Sequence, residues 1–351
     1  MLIRAWNRVV AQRILCATVP TTGIDPAEEA SGTVPRGGAG RRAAVPLSIG
    51  SIAIMMAGGV MGLLVQLYLR ELGAAPIIIS LSTSLGAAGL LIGSVAWGAA
   101  SDRIHRKPLL FATAAGVAVT VGVLAFLPSA GVVLPVSLLR EFVRTGFVAM
   151  TMALVSAASV TARRGRNLSY LSASRSLGFG LGAAVGGFVL EALGFRWSYV
   201  VLLVLPTTAV LSMVFLPSEP VARLRDRTVA WRLAARAGLT DLYIGTILRQ
   251  MAIHGTFSLI FVYMANRGIS PGLMGLLSST NMATQTLAML FFGRLADRIG
   301  RRRIFLLGFA LSVAVPLAFA LASTAWQMAL GYVLLGLSFS SLYMGSTAHI
   351  G

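Results

Sequence analysis

Residues 293–303 read GRLADRIGRRR, and residues 98–107 read GAASDRIHRK. The second stretch is a copy of the first. Shifting the sequence by 195 residues sets Gly98 on Gly293, Asp102 on Asp297, Arg103 on Arg298 and Arg106 on Arg301, with no gap. The same shift carries Tyr68 onto Tyr263, Gly73 onto Gly268, Pro76 onto Pro271, Leu81 onto Leu276 and Ser84 onto Ser279. Agreement over this length marks an internal duplication.

Composition says what kind of chain is duplicated. Of 351 residues, 56% are hydrophobic and 11% are charged, and the mean hydropathy is +0.83. A soluble domain carries about 25% charged residues, so most of this surface must face something other than water. The net charge of +18 does not describe a nucleic-acid binder, because the basic residues fall in short bursts rather than on one face. Between the bursts lie apolar stretches of about 20 residues, the length that crosses a bilayer. The reading is an all-α membrane protein with no nucleic-acid partner. Cys16 is the single cysteine, so no disulfide framework is available.

Ten spans can be marked, roughly at 46–69, 76–100, 109–127, 132–158, 169–193, 197–217, 239–265, 271–294, 303–323 and 325–348. Residues 1–45 read as a disordered tail, 46–217 as a six-helix bundle, 218–238 as a charged linker and 239–351 as an incomplete bundle of four helices. With the N-terminus in the cytoplasm, 22 of the 29 basic residues fall on the cytoplasmic side. Only Arg70, Arg196 and Arg267 then lie outside. A multi-pass cell-membrane protein with a cytoplasmic N-terminus follows. Parallel repeats of this kind belong to secondary transporters, whose site lies between the halves near the bilayer midplane.

GRLADRIGRRR resembles the cytoplasmic signature loop of the major facilitator superfamily, roughly G-x-L-a-D-r-x-G-r-r, and the likeness covers about residues 46–350. The resemblance implies a bundle of two parallel six-helix repeats, here with about ten of twelve helices and a C-terminal truncation. It also implies that Gly98, Asp102, Arg103, Arg106, Gly293, Asp297, Arg298, Gly300 and Arg301 form two latch loops. In the family the second loop docks at the start of helix five, near Asn167, and the first at the start of helix eleven. The Gly98 copy departs from the pattern, with His105 where glycine is usual. Residues 178–187, GFGLGAAVGG, resemble the G-x-x-x-G-P-x-x-G-G helix of proton-coupled drug exporters, with Ala183 in the proline position. Gly178, Gly182, Gly186 and Gly187 are alternatively a plain small-residue packing face.

Ionisable residues inside spans are costly and therefore candidates for function. Span four carries Arg140, Glu141 and Arg144, where Glu141 and Arg144, three apart, can pair. Span seven carries Arg249 and His254, and span one offers Gln66. These six are the cavity and coupling candidates. Arg175 in span five is expected to snorkel. With positive charge in excess, the substrate is expected to be an anionic or neutral small molecule, with protons as coupling ion. No metal-ligand spacing, nucleophile elbow or phosphate loop occurs, so neither an enzyme nor a cofactor is expected. A proton-coupled transporter is the leading reading, and the likeness to drug exporters points its direction outward. The alternatives are a non-transporting remnant and a membrane receptor or partner-completed protein.

Overall fold

The structure, a computed structural model, describes residues 38–101, 104–127, 129–157, 161–216 and 240–346. The side chains of some residues inside these ranges, Asp297 and Arg301 among them, are not described. The expected linker at 218–238 and most of the expected tail lie outside. Eleven helices follow one another among the described residues: α1 (Gly38–Glu71), α2 (Pro76–Ser101), α3 (Arg106–Phe126), α4 (Ala130–Ala157), α5 (Thr161–Leu202), α6 (Val204–Val214), α7 (Thr240–Phe257), α8 (Ile260–Asn266), α9 (Pro271–Ile299), α10 (Arg301–Leu321) and α11 (Ala325–Ser346). The described residues form helices and no strand, as the apolar stretches require, because a backbone in lipid must satisfy its own hydrogen bonds.

Two of the ten expected spans are not single straight helices. Gly194, at φ 72°, breaks the backbone inside α5, so the fifth span ends there and the sixth is the rest of α5 plus α6. The seventh span breaks at Ser258 and Leu259, which separate α7 from α8. At the other end of the chain, α1 starts at Gly38 instead of after a tail ending at 45. The added turns, GAGRRAAV, contain alanines and arginines that favour helix, and Pro46 lies within the helix they begin.

The duplication is visible in backbone detail. α1 and α8 both end in a glycine of positive φ, Gly73 at 70° and Gly268 at 74°. In one copy Ala74 N donates to Leu69 O at 3.0 Å, and in the other Ile269 N donates to Met264 O at 3.2 Å. This is the Schellman closure, which needs a residue free to adopt the left-handed region. Proline then opens the next helix in both copies, Pro76 for α2 and Pro271 for α9. Proline suits the first turn because its missing N–H would be unpaired there anyway.

Seven stretches among the described residues are long and apolar enough to cross a membrane. α4 and α9 have the length but carry more polar residues, Arg140, Glu141 and Arg144 in one and Asn281 and Gln285 in the other. Those residues point inward: Asn281 and Gln285 are buried, and the α4 charges are mostly enclosed. Exposed side chains such as Leu91, Val95, Ile247 and Met251 are apolar. The molecule thus has an apolar outside and polar residues within, the arrangement a bilayer imposes.

α1 is the buried centre, with Ile54, Leu63, Leu64 and Leu69 fully enclosed. It packs chiefly on α5 and α6, while α2 packs on α4 and α10 on α11. The halves meet mainly where α5 crosses α9.

Candidate functional site

Where the α1–α6 half meets the α7–α11 half, the helices enclose a cavity of about 450 Å³. Gly58, Gly62 and Gln66 of α1, Thr83 and Gly86 of α2, and Arg140, Glu141 and Arg144 of α4 form one side. His254 and Phe257 of α7, Phe261 of α8, Asn281 and Met282 of α9, and Tyr332 and Leu335 of α11 form the other, with Phe179 of α5 between them.

The charge in this cavity is concentrated on α4. Glu141 accepts from Arg144 Nε at 2.8 Å and from Arg140 Nη2 at 3.1 Å, and Arg144 Nη2 bonds the same carboxylate. One carboxylate therefore holds two guanidinium groups, and the side chains are only 11–18% exposed. The remaining donors of Arg140, Nε and Nη1, are buried and have no hydrogen-bond partner among the described residues. Pairing inside a low-dielectric interior offsets the cost of taking these charges out of water.

Gly146, two residues past Arg144, has a packing reason of its own. A Cβ there would meet the ring of Trp97, whose indole N–H donates to Phe142 O at 2.9 Å. Arg175 does not snorkel to the membrane edge. Its Nη2 crosses to α4 instead, donating to Val148 O at 2.9 Å and bonding Thr151 Oγ1. Acceptors inside the bundle are nearer than solvent.

The other candidates divide. Gln66 lines the cavity, and both ends of its amide bond the other half: Nε2 donates to Phe257 O at 2.9 Å and Oε1 accepts from Phe261 N at 3.2 Å. These are main-chain groups that the break between α7 and α8 leaves without helical partners, so Gln66 joins the two halves. His254 lines the cavity. Arg249 does not line it. It turns into its own half, donating to Ser312 Oγ at 2.7 Å, Ser338 Oγ at 3.2 Å and Gln250 Oε1 at 2.7 Å. Hydroxyls on α10 and α11 draw it away from the midline, which its position on α7 could not reveal.

The halves are also joined by Arg70 Nε to Asn266 Oδ1 at 3.1 Å, by the Ser80 and Ser258 hydroxyls at 3.4 Å, and by Gly272 N to Glu191 Oε2 at 3.0 Å. Together with the Gln66 bonds these lie toward the end where α1 finishes and α2 begins.

The glycines of α5 serve two partners rather than one. Gly178, Gly182 and Gly186 lie against Ile52, Met56 and Val60 of α1, one turn apart, whereas Gly187 lies against Pro271 at the start of α9. Ala183 is sandwiched between them: a Cβ on Gly59 would meet its N, and a Cβ on Gly275 its O.

Of the latch-loop residues, Gly98 is near the end of α2, Arg106 opens α3, and Gly293 lies near the end of α9. Asp297 is in the last turn of α9, Arg298 is exposed, Gly300 has φ 88°, and Arg301 opens α10. Asp102, Arg103 and Asn167's side chain lie outside the described residues, and with them the docking expected of these loops. The cavity's aromatic and sulfur wall, Phe179, Phe257, Phe261, Met282 and Tyr332, was invisible beforehand. In an apolar span such residues carry no signal that separates cavity from lipid or core.

The profile of the Major Facilitator Superfamily matches residues 47–264 and 242–351. The chain belongs to the major facilitator superfamily. It is a multi-pass membrane protein of a transporter family. Its sequence is 26% identical over 277 residues to the multi-drug resistance efflux pump PmrA of Streptococcus pneumoniae, covering 76% of this chain and 69% of PmrA. It is also 26% identical over 262 residues to the multidrug resistance protein MdtG of Enterobacter lignolyticus, covering 70% of this chain and 61% of MdtG. Among solved structures, a mutant of the nucleoside transporter NupG superposes with a TM-score of 0.74 at 16% identity, covering 87% of this chain and 82% of that one. A bacterial homolog of the human lysosomal transporter Spinster, inward-facing and unoccupied, superposes with a TM-score of 0.70 at 13% identity, covering 89% and 76%. At such identities these structural likenesses concern the fold alone.

Proposed function

We propose that this chain is a proton-coupled exporter in the cell membrane, moving a neutral or anionic small molecule by alternating access, with its N-terminus in the cytoplasm. The halves would be 46–217 and 239–351, joined by the 218–238 linker. The observation that carries this reading is the cavity between the halves, with its charge held in one buried cluster, Arg140–Glu141–Arg144. Two guanidinium groups against one carboxylate favour a neutral or anionic occupant over a cation. A carboxylate gripped by two arginines is also a group whose protonation a substrate could alter by competing for one of them. Similarity to PmrA and MdtG supports export. The basic loops support the cytoplasmic N-terminus, and the bonds from Gln66, Arg70 and Glu191 then lie on the outer side, leaving the cavity to open inward.

The test is transport by the full chain in proteoliposomes under an imposed pH gradient. The probes are chloramphenicol (neutral), fluorescein (anionic) and ethidium (cationic). Gradient-driven movement of chloramphenicol or fluorescein, abolished by nigericin, is expected. Movement of ethidium alone would overturn the charge preference, and no gradient-driven movement of any probe would overturn proton-coupled export.

A further inference from the structure

In an unbroken α-helix Phe261 N would donate to Phe257 O, four residues earlier. Those are the two groups that Gln66 bonds, its Nε2 donating to Phe257 O at 2.9 Å and its Oε1 accepting from Phe261 N at 3.2 Å. An amide from one half is thus inserted into one missing rung of a helix in the other. The rung beside it is also taken up. Gly255 O, the acceptor that Leu259 N would use in an unbroken helix, receives Ser258 Oγ at 2.7 Å and Ser258 N at 3.4 Å. The Ser258 hydroxyl also meets that of Ser80, on α2 of the first half, at 3.4 Å.

The local sequence does not demand this break. No proline lies between Thr240 and Asn266. The 195-residue shift sets Gly62 on Phe257 and Gln66 on Phe261, and in that copy α1 is one helix across both positions. What holds the seventh span open is therefore on the far side of the interface between the halves.

We infer that Gln66 is a positioning residue that keeps the seventh span broken, and that α7 and α8 rejoin through a Phe261 N to Phe257 O bond when the halves part at this end. The inference rests on the alternating-access reading. With the amide inserted, Gln66 makes two bonds across the interface and the cavity is shut on the side assigned as outer. With the amide withdrawn, the two main-chain groups satisfy each other and the amide stays on the cavity wall, where water or an occupant can pair it. No buried main-chain group is stranded in either arrangement, so neither carries the penalty that would lock the protein in one state. An occupant that bonds the Gln66 amide competes with the broken rung and thereby favours opening outward.

The test is Q66M in the full chain, in a C16S background and reconstituted in lipid, with two readouts. Spin labels at L127C and L321C report the outer opening. Both leucines are exposed, one at the end of α3 and the other at the end of α10, where Tyr263 Oη donates to the next residue, Ala322 O, at 2.8 Å. Hydrogen–deuterium exchange of peptides covering residues 257–263 reports the break. Q66M is expected to raise the population at the longer distance at least about twofold, while these amides exchange no faster than in wild type. A longer distance accompanied by exchange about tenfold faster would mean that the span unwinds instead of rejoining, which overturns the inference. S258A releases Gly255 O and leaves Gln66 in place, so it should act in the same direction with a smaller effect, and it carries the test if Q66M does not fold. An S258A chain that matches wild type in distance, or exchanges faster, also overturns the inference. If chloramphenicol shifts the wild-type distance but Q66M keeps the wild-type distribution, the role of Gln66 falls and alternating access stands. One short distance in wild type and both variants, with and without chloramphenicol, overturns both.

Discussion

The two copies of the duplication agree at one pair of turns and part at another. After α1 and α8, Gly73 and Gly268 take nearly the same φ and close the helix with the same main-chain bond. After α2 and α9 the matched residues are His105 and Gly300. Gly300 has φ 88° and ψ 139°, while His105 has φ −56° and ψ 137°. The ψ is retained and the φ changes sign, because a histidine in the left-handed region costs strain that glycine does not feel. A new helix nevertheless starts at the next residue in both, Arg106 and Arg301. A duplicated loop thus keeps its helix start after losing its backbone path, so likeness of sequence between the two loops is not likeness of shape.

The buried arginines also differ in how they are held. Arg140 and Arg144 share a carboxylate, whereas Arg249 rests on the neutral oxygens of Ser312, Ser338 and Gln250, as Arg175 of the first half rests on Val148 O and Thr151 Oγ1. Substitutions can break or sharpen these contrasts, with unfolding followed in mixed micelles. The largest effect is expected from E141A, which strands two guanidinium groups and should cost about 3–5 kcal/mol. S312A removes one neutral partner of Arg249 and should cost less, about 1.5–3 kcal/mol. Equal or reversed losses would show that the first half does not depend on its carboxylate in this way. G73A and G268A should each cost about 1 kcal/mol and match one another, since both place a side chain at positive φ. A large inequality between them would mean that the shared turn is not equally required. The smallest contrast is in the loops after α2 and α9: G300A should cost about 1 kcal/mol, and H105A about 0.5 kcal/mol or less. If H105A proves as costly as G300A, the imidazole has contacts that its backbone angles do not suggest.

Much of this was legible in the sequence, for physical reasons that differ by residue. Span positions follow from the bilayer's thickness, and the repeat from aligned glycines and prolines whose backbone roles recur. The Arg140–Glu141–Arg144 cluster was legible because charge in an apolar helix needs a partner close by. The break at Ser258 was not, since no proline marks it and a side chain from the other half, Gln66, satisfies the freed groups. Arg249 was placed in the cavity from its span alone; the serines that draw it away come from helices over 60 residues distant. Apolar cavity residues such as Met282 and Tyr332 differ from their neighbours only by which way they face.

Where α5 crosses α9, main chain meets main chain at two points. Gly187 meets the Pro271 carbonyl, Gly275 meets the Ala183 carbonyl, and Gly180 faces Met282. Helices that interlock through long side chains behave as gear teeth: one cannot turn on the other until rotamers are displaced. Bare backbones have few teeth. For the alternating access proposed above, such a crossing would serve as a plain bearing, the place where one half would pivot on the other without first unpacking its core.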